Sequence, residues 1–269
     1  VVGAQEGEEG GQGMPFISHP MCERGPWRPT QPSQVQVAIK DSTVAFAAAG
    51  CVEVSRLAEH AGWQHLVSLP ASLTLSCAAS AEAAACGQIV PAQFGKVIAM
   101  DDGVLLASAR VSMAAGEEEG KEGEGAAAGE EEVVVAFTRL GAAWQQTDVL
   151  RCPLCSCPPP PPGGGGGEWE GPGCFGAAVA VHDDVAVVGY PRNSSVIVFR
   201  RELVPGKSLV VAWVQVQTLS DVSAPSLFGA SLALGASLLV VGFPADMNSG
   251  ALAYRIDKPL PPGGSGLGA

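Results

Sequence analysis

The sequence predicts an all-β fold: a β-propeller-like array of four-stranded antiparallel blades, forming an incomplete or fragmentary ring. Three observations carry this prediction. First, "FGAAVAVHDDVAVVGYP" (175–191) is repeated nearly intact as "FGASLALGASLLVVGFP" (228–244). Second, two more segments share the centre of that stretch, "VIAMDDGVLLAS" (97–108) and "VAIKDSTVAFAA" (37–48). Third, a tryptophan recurs behind the hairpins, at Trp63, Trp144 and Trp213, with an earlier one at Trp27. Sheets of four strands repeated along a chain define a propeller. A plain β-sandwich with similar hairpins is the competing architecture, and the regular phasing with one Trp per unit favours the propeller.

Each element of the repeat has a physical reason. Alternating Val, Ile, Leu and Ala suit half-buried strands. Asp, Ser and Gly suit the tight turn between them, because they tolerate left-handed backbone or hydrogen-bond to it. Gly at the end of the second strand permits close backbone approach, and Pro then stops the strand. The third strand reads "CVEVSRL", "VVVAFTRL" or "SVIVFRREL", and the Trp strand closes the unit.

On this phasing the repeats are 1–30, 34–70, 94–150, 175–219 and 228–256, the first and last with three strands each. Residues 71–93 lie between repeats. Low-complexity insertions are expected at 114–132 and 151–174, the first Gly/Ala/Glu-rich and the second carrying "CPLCSCPPPPPGGGGGEWEGPGC". Short helical candidates are confined to 53–61 and 78–86. Because the chain opens on "VVGAQ", inside a repeat, a larger parent protein is expected.

The repeat resembles the FG-GAP family, the blades of integrin-alpha-like β-propellers. Phe175-Gly176 pairs with Gly189-Tyr190-Pro191, Phe228-Gly229 with Gly242-Phe243-Pro244, and Phe94-Gly95 with a worn Ser108-Ala109-Arg110. The repeat over 34–70 has lost its Phe-Gly, and Val2-Gly3-Ala4-Gln5 reads as a remnant of Gly-Ala-Pro. The resemblance implies blades wedged apart by the Phe rings. It implies no single biochemical activity, since fold does not carry function. Many family members hold Ca²⁺ in the hairpin loop. Here the loops are Asp41-Ser42, Asp101-Asp102-Gly103, Asp183-Asp184 and Gly235-Ala236, too short and too poor in carboxylates for six to eight oxygen ligands. They are read as turn residues, and no metal or cofactor is expected.

The net charge of −12 argues against a nucleic-acid-binding surface. Residues 117–132 hold eight Glu and one Lys and account for −7 of it, so the charge is that of a solvated loop. No run of apolar residues is long enough for a transmembrane helix, so this segment is not expected to insert into a membrane. The eight cysteines suit disulfides in an oxidising compartment. Cys152, Cys155, Cys157 and Cys174 leave loop disulfides, a zinc site and unpaired thiols open. Asn193-Ser194-Ser195 is an N-glycosylation acceptor. Together these place the chain outside the cell or in the lumen of the secretory pathway.

Catalytic patterns are poor. His19, His60, His65 and His182 fall on different elements, and His182, at a hairpin turn, is expected to be solvated. The innermost strands are rich in Val, Ala and Leu. The reading that follows is not an enzyme but a non-catalytic module binding a protein or glycan. Its alternative is an accessory propeller of a larger secreted or membrane-anchored enzyme. Contacts are expected from the loops after the second strands, through Arg192, Asn193, Asp246 and Asn248, because scaffolds place binding residues on connections.

Overall fold

The computed structural model describes residues 36–48, 50–59, 61–70, 88–89, 94–112, 130–152, 173–203, 211–220, 227–244 and 249–256. These form four antiparallel sheets in chain order. The first contains β1 (Gln36–Lys40), β2 (Thr43–Ala48), β3 (Cys51–Ala58) and β4 (Gly62–Pro70). The second contains β6 (Ile98–Asp101), β7 (Val104–Ser112), β8 (Glu130–Leu140) and β9 (Ala143–Leu150), with the two-residue β5 (Gln88–Ile89) pairing with the far end of β7. The third is β10 (Ala178–His182), β11 (Val185–Tyr190), β12 (Ser195–Leu203) and β13 (Val211–Ser220). The fourth has three strands, β14 (Ser231–Leu234), β15 (Leu238–Phe243) and β16 (Gly250–Arg255). The innermost strands β1, β6, β10 and β14 are successive neighbours, so the sheets are blades fanned around one axis. The fold is the all-β propeller-like array that the repeat predicts. The repeat expected over 1–30, the helical candidate at 78–86 and nearly all of both low-complexity insertions lie outside the described residues.

Three apolar layers fill the gaps between blades, and strand alternation decides which layer each residue joins. On β7, Leu105, Ala107, Ala109 and Val111 face the first blade, whereas Val104 and Leu106 face the third. On β12, Ile197 and Phe199 face the second blade, and Val196 and Val198 face the fourth. Middle strands covered on both faces therefore read as unbroken apolar runs.

The Phe-Gly landmarks occupy equivalent places. Phe94, Phe175 and Phe228 are buried, each in the layer between its own blade and the one before. Each ring meets an aromatic of its own third strand edge-on: Phe137 at 6.3 Å, Phe199 at 6.2 Å and Tyr254 at 6.1 Å between centroids. The following glycines have φ of +74°, +90° and +93° at Gly95, Gly176 and Gly229, a region that disfavours side chains. Their N–H groups donate to the carbonyls of Ser108, Gly189 and Gly242, each on the second strand of its blade. The worn Ser108 thus keeps the bond made by its glycine counterparts. A Cβ on Gly189 would collide with the Gly229 carbonyl oxygen of the next blade, which is why glycine stands there.

The Trp landmarks are equivalent too. Each third strand has a register shift against its fourth, at Val54/Ser55, Ala136/Phe137 and Val198/Phe199. Trp63, Trp144 and Trp213 stand at matching positions beyond it, opposite Leu57, Arg139 and Arg201. By the same register, Ser55 occupies the place of Phe137 and Phe199, so the blade that lost its Phe-Gly also lost the ring it would meet.

Two local expectations are corrected. The helix expected over 53–61 gives way to a strand: Cys51–Ala58 is extended and its residues 51–56 pair with β2. Alternate Val52 and Val54 enter the layer facing the second blade, which fixes the period at two. The insertion expected to run to residue 132 gives way to strand β8 already at Glu130. Arg110 holds Glu130 at 3.3 Å and Glu132 at 2.9 Å, and Arg151 pairs with Glu131, so these carboxylates are anchored across the sheet.

Replacing Phe228 by Ala removes a fully buried ring from a blade junction and is expected to cost about 3–5 kcal/mol in urea unfolding. Gly189→Ala, with one methyl against a neighbouring backbone, is expected to cost at least about 2 kcal/mol. A loss near zero for both would mean the junction is not the wedge described.

Candidate functional site

The turns joining first and second strands, two residues long in the first three blades and three in the fourth, all lie at one end of the blades. The last residues of the inner strands therefore come together: Lys40 on β1, Asp101 on β6, His182 on β10 and Leu234 on β14. Asp41 and Asp183 take φ of 50° and 52°, the left-handed turn geometry that Asp tolerates.

Asp101 is the hub of this end. Its side chain is 5% exposed, and it accepts from Lys40 Nζ at 2.8 Å and from the Asp183 backbone N–H at 2.7 Å. His182 Nδ1 lies 3.2 Å from its Oδ2. Three blades are thus tied through one carboxylate. Burial alone pushes the Asp101 carboxyl up, but the hydrogen bonds from Lys40, Asp183 N–H and Asp102 N–H, with the Lys40 charge, outweigh it and hold it below the usual range. The Lys40 ammonium is raised, first by its hydrogen bond to Asp101 and then by that carboxylate's charge. His182 is half-buried against Asp101 rather than free in solvent, and Asp101 is a buried strand residue rather than a turn residue. Both correct the reading of the sequence.

A cleft of about 440 Å³ opens between the first and second blades beside this hub. Lys40, Asp41, Asp101 and Asp102 line its axial side. Arg56 and Arg139, from the ends of the third strands, and Trp144, from the fourth, also line it. Trp144 is buried, and its indole N–H has no partner among the described residues. A second cleft of about 360 Å³ separates the third and fourth blades at the same end, with Leu234 and Ile256 beside His182, Arg200 and Arg201. There Arg201 is committed, its guanidinium 2.7 Å from Asp184 and 5.9 Å from the Trp213 ring centroid.

The contact residues expected from sequence lie elsewhere. Arg192 and Asn193 form a 3-10 turn, Pro191–Asn193, between β11 and β12, at the opposite end of the sheet. Asn193 is exposed and Arg192 half-buried, its N–H bonded to Gly173 O at 3.1 Å. Asp246 and Asn248 lie outside the described residues. Arg192 and Asn193 are therefore not brought together with the cleft. Cys51, Cys152 and Cys174 are buried and none is a free thiol. Among the described residues no group of three His, Cys, Asp or Glu is placed to hold a metal ion, and no helix is long and apolar enough to cross a membrane. The signal that was available for the hub is alignment: the last residues of the inner strands read Lys, Asp, His and Leu, so three of the four mostly apolar strands end on a charged or titratable residue.

No family model matches the chain, and no curated protein matches it in sequence. Solved structures do match. A xylan β-1,4-xylosidase from Bacillus halodurans C-125 is 12% identical with a TM-score of 0.37, the match covering 82% of this chain and 39% of that one. A sialidase from Trypanosoma rangeli, in complex with the inhibitor DANA, is 11% identical with a TM-score of 0.35, covering 82% of this chain and 35% of that one. The likeness is one of fold. This chain spans well under half the length of either. Both matched proteins are glycosidases by name, so the expectation of a non-catalytic interaction module that is not an enzyme is withdrawn. The physical reason is local. Apolar inner strands say nothing about their ends, where Lys40, Asp101 and His182 meet.

The hub has a pH signature. The lowered Asp101 contributes stability above the unfolded carboxyl value, about 3.9, and loses it as pH falls through the lower folded value. The raised Lys40 contributes below about 10.4 and loses it as pH climbs through its higher folded value. Asp101→Asn is expected to cost about 1–3 kcal/mol at neutral pH and to flatten the acid limb of the thermal-stability curve. An acid limb equal to that of the wild type would remove Asp101 from this role.

Proposed function

We propose that the chain is a glycan-processing enzyme unit, with its substrate held in the cleft between the first and second blades. The observation that carries this reading is the cleft itself: carboxylates from the turns of two adjacent blades face one polar space of about 440 Å³ beside a tryptophan. Glycosidic bond hydrolysis needs two carboxyl groups flanking the bond, one as acid and one as base or nucleophile. Three carboxylates line the cleft. Asp101 is committed to Lys40 and to the turn of the third blade, so its part is to fix the charge and geometry of the site. Asp41 and Asp102, both exposed, are left for the acid and base roles. The Trp144 indole, cross-strand from Arg139, supplies an apolar face bordering the polar wall.

Other features fit around this reading. The equivalence of the Phe-Gly and Gly-x-Pro positions supports descent from the FG-GAP group of propellers. Exposure of Asn193 supports glycosylation there, and buried cysteines that are not free thiols support disulfides, both pointing to an extracellular or luminal setting. The repeats 34–70, 94–150, 175–219 and 228–256 then act as one unit, with the substrate a glycan rather than a nucleic acid.

The test is hydrolysis of a panel of oligosaccharides and aryl glycosides by the purified chain. Asp41→Asn and Asp102→Asn are each expected to lower the rate by roughly 10²–10⁴-fold without moving the melting temperature. Failure to cleave any glycoside, or full activity in both variants, would overturn the reading.

A further inference from the structure

Blades two and three are built on one plan, and comparing them position by position singles out the turn, where the left-handed residue is Asp183 in the third blade and Gly103 in the second. In the third blade, Arg201 N–H donates to the Asp184 carbonyl at 2.8 Å, and in the second, Arg139 N–H donates to the Gly103 carbonyl at 2.7 Å. Arg139 and Arg201 are thus the same position, and so are Gly103 and Asp184. Their Trp partners match as well, Arg139 opposite Trp144 and Arg201 opposite Trp213. In the third blade the Asp184 carboxylate captures the guanidinium, with Nε at 2.8 Å and Nη2 at 2.7 Å. In the second blade glycine replaces that aspartate, and the carboxylate is missing.

The consequence is an arginine without its carboxylate. Among the described residues, Arg110, Arg151 and Arg201 each hold an acidic partner and Lys40 holds Asp101. Arg139 has none, and neither does Arg56, the other arginine of the same cleft. Both are exposed on a chain whose net charge is −12, where an unpaired guanidinium has many carboxylates to compete for. The cleft is accordingly polarised. Its axial wall carries Asp41 and Asp102, acceptors suited to hydroxyl groups, and its other cations are the two uncommitted guanidinium forks, donors suited to a planar or tetrahedral anion.

We propose that the cleft selects an anionic sugar, a hydroxyl-rich ring bearing one carboxylate or sulfate group, and that Arg139, assisted by Arg56, binds the anion. This rests on the glycan reading of the cleft and names its substrate class. Arg139 is a specificity residue here: it holds the charged substituent and takes no part in bond cleavage. The glycine at 103 is part of the device, because it leaves Arg139 unclaimed.

That last point gives a test that keeps the arginine. A Cβ at Gly103 would lie 3.7 Å from the Arg139 Cβ, ordinary contact, so a side chain there is next to the arginine. Gly103 has φ of +69°, a region Asp enters at Asp41 and Asp183 in this same chain. Gly103→Asp therefore sets a carboxylate beside Arg139, as Asp184 does beside Arg201, at the cost of some backbone strain. The experiment is calorimetric titration of the purified chain with three oligosaccharides of equal length: neutral, uronic acid-containing and sulfated. The wild type is expected to bind one of the anionic pair at least tenfold more tightly than the neutral one, and which of the two it prefers identifies the anion. Arg139→Ala and Gly103→Asp are both expected to erase that preference, while Arg139→Lys retains part of it. Arg151→Ala, in an ion pair away from the cleft, should leave it intact. Equal binding of neutral and anionic sugars would overturn this inference and leave the glycan reading standing. Binding of none would overturn both. An anionic preference that survives Arg139→Ala and Gly103→Asp would place the anion elsewhere and overturn the assignment to Arg139.

Discussion

The rest of the structure depends on how closely one blade can approach the next at the Phe-Gly dipeptide. There the glycine backbone sits between two second strands. It donates to the carbonyl of its own blade and lies against the small residue of the preceding one: Gly95 on Ala47, Gly176 near Ser108, Gly229 on Gly189. Positive φ calls for glycine at all three, and at Gly95 and Gly229 lack of room does so as well, so one residue type answers a conformational and a steric demand together. The phenylalanine beside it fills the layer that this approach leaves open, and its edge-on partner in the third strand locks the spacing. Sheets held at that spacing bury both faces of their middle strands. This is how a chain with 6% aromatic residues, rich in Ala and Gly, builds a dense interior.

That packing also positions the chemistry. Because inner strands of successive blades lie side by side and end at the same level, one position of the repeat is brought together around the axis. Selection for packing governs the body of the strand, and the terminal position escapes it. Lys40, Asp101 and His182 occupy that position in three consecutive blades. A single buried carboxylate among them links the blades electrically as well as sterically. Its ionised state is sustained by a lysine and two backbone donors, without which burial would favour the neutral acid.

Repetition also makes small departures legible. Where the first blade lacks Phe-Gly, Ser55 replaces the ring that the phenylalanine would meet. Where the second blade has Gly103 in place of Asp184, an arginine is left uncommitted beside a cleft. A departure in one member of a repeat is a change at one place in a known geometry, so its effect can be read from the intact copies.

The sequence by itself determined the sheets, their order, the places of Phe94, Phe175 and Phe228 and those of Trp63, Trp144 and Trp213. These are local periodicities and turn chemistry, written within a few tens of residues and repeated. It misplaced a helix at 53–61, since "EVSRLAEHA" has helical composition and only pairing with β2 makes it a strand. The contacts it suggests, Arg192 and Asn193, lie at the end of the blades away from the cleft. Only the tertiary structure decided the site. Lys40, Asp101 and His182 are separated by whole repeats, and no spacing in the chain relates them. Their meeting is a consequence of blade geometry: fanning the sheets around an axis turns positions equivalent in the repeat into neighbours in space.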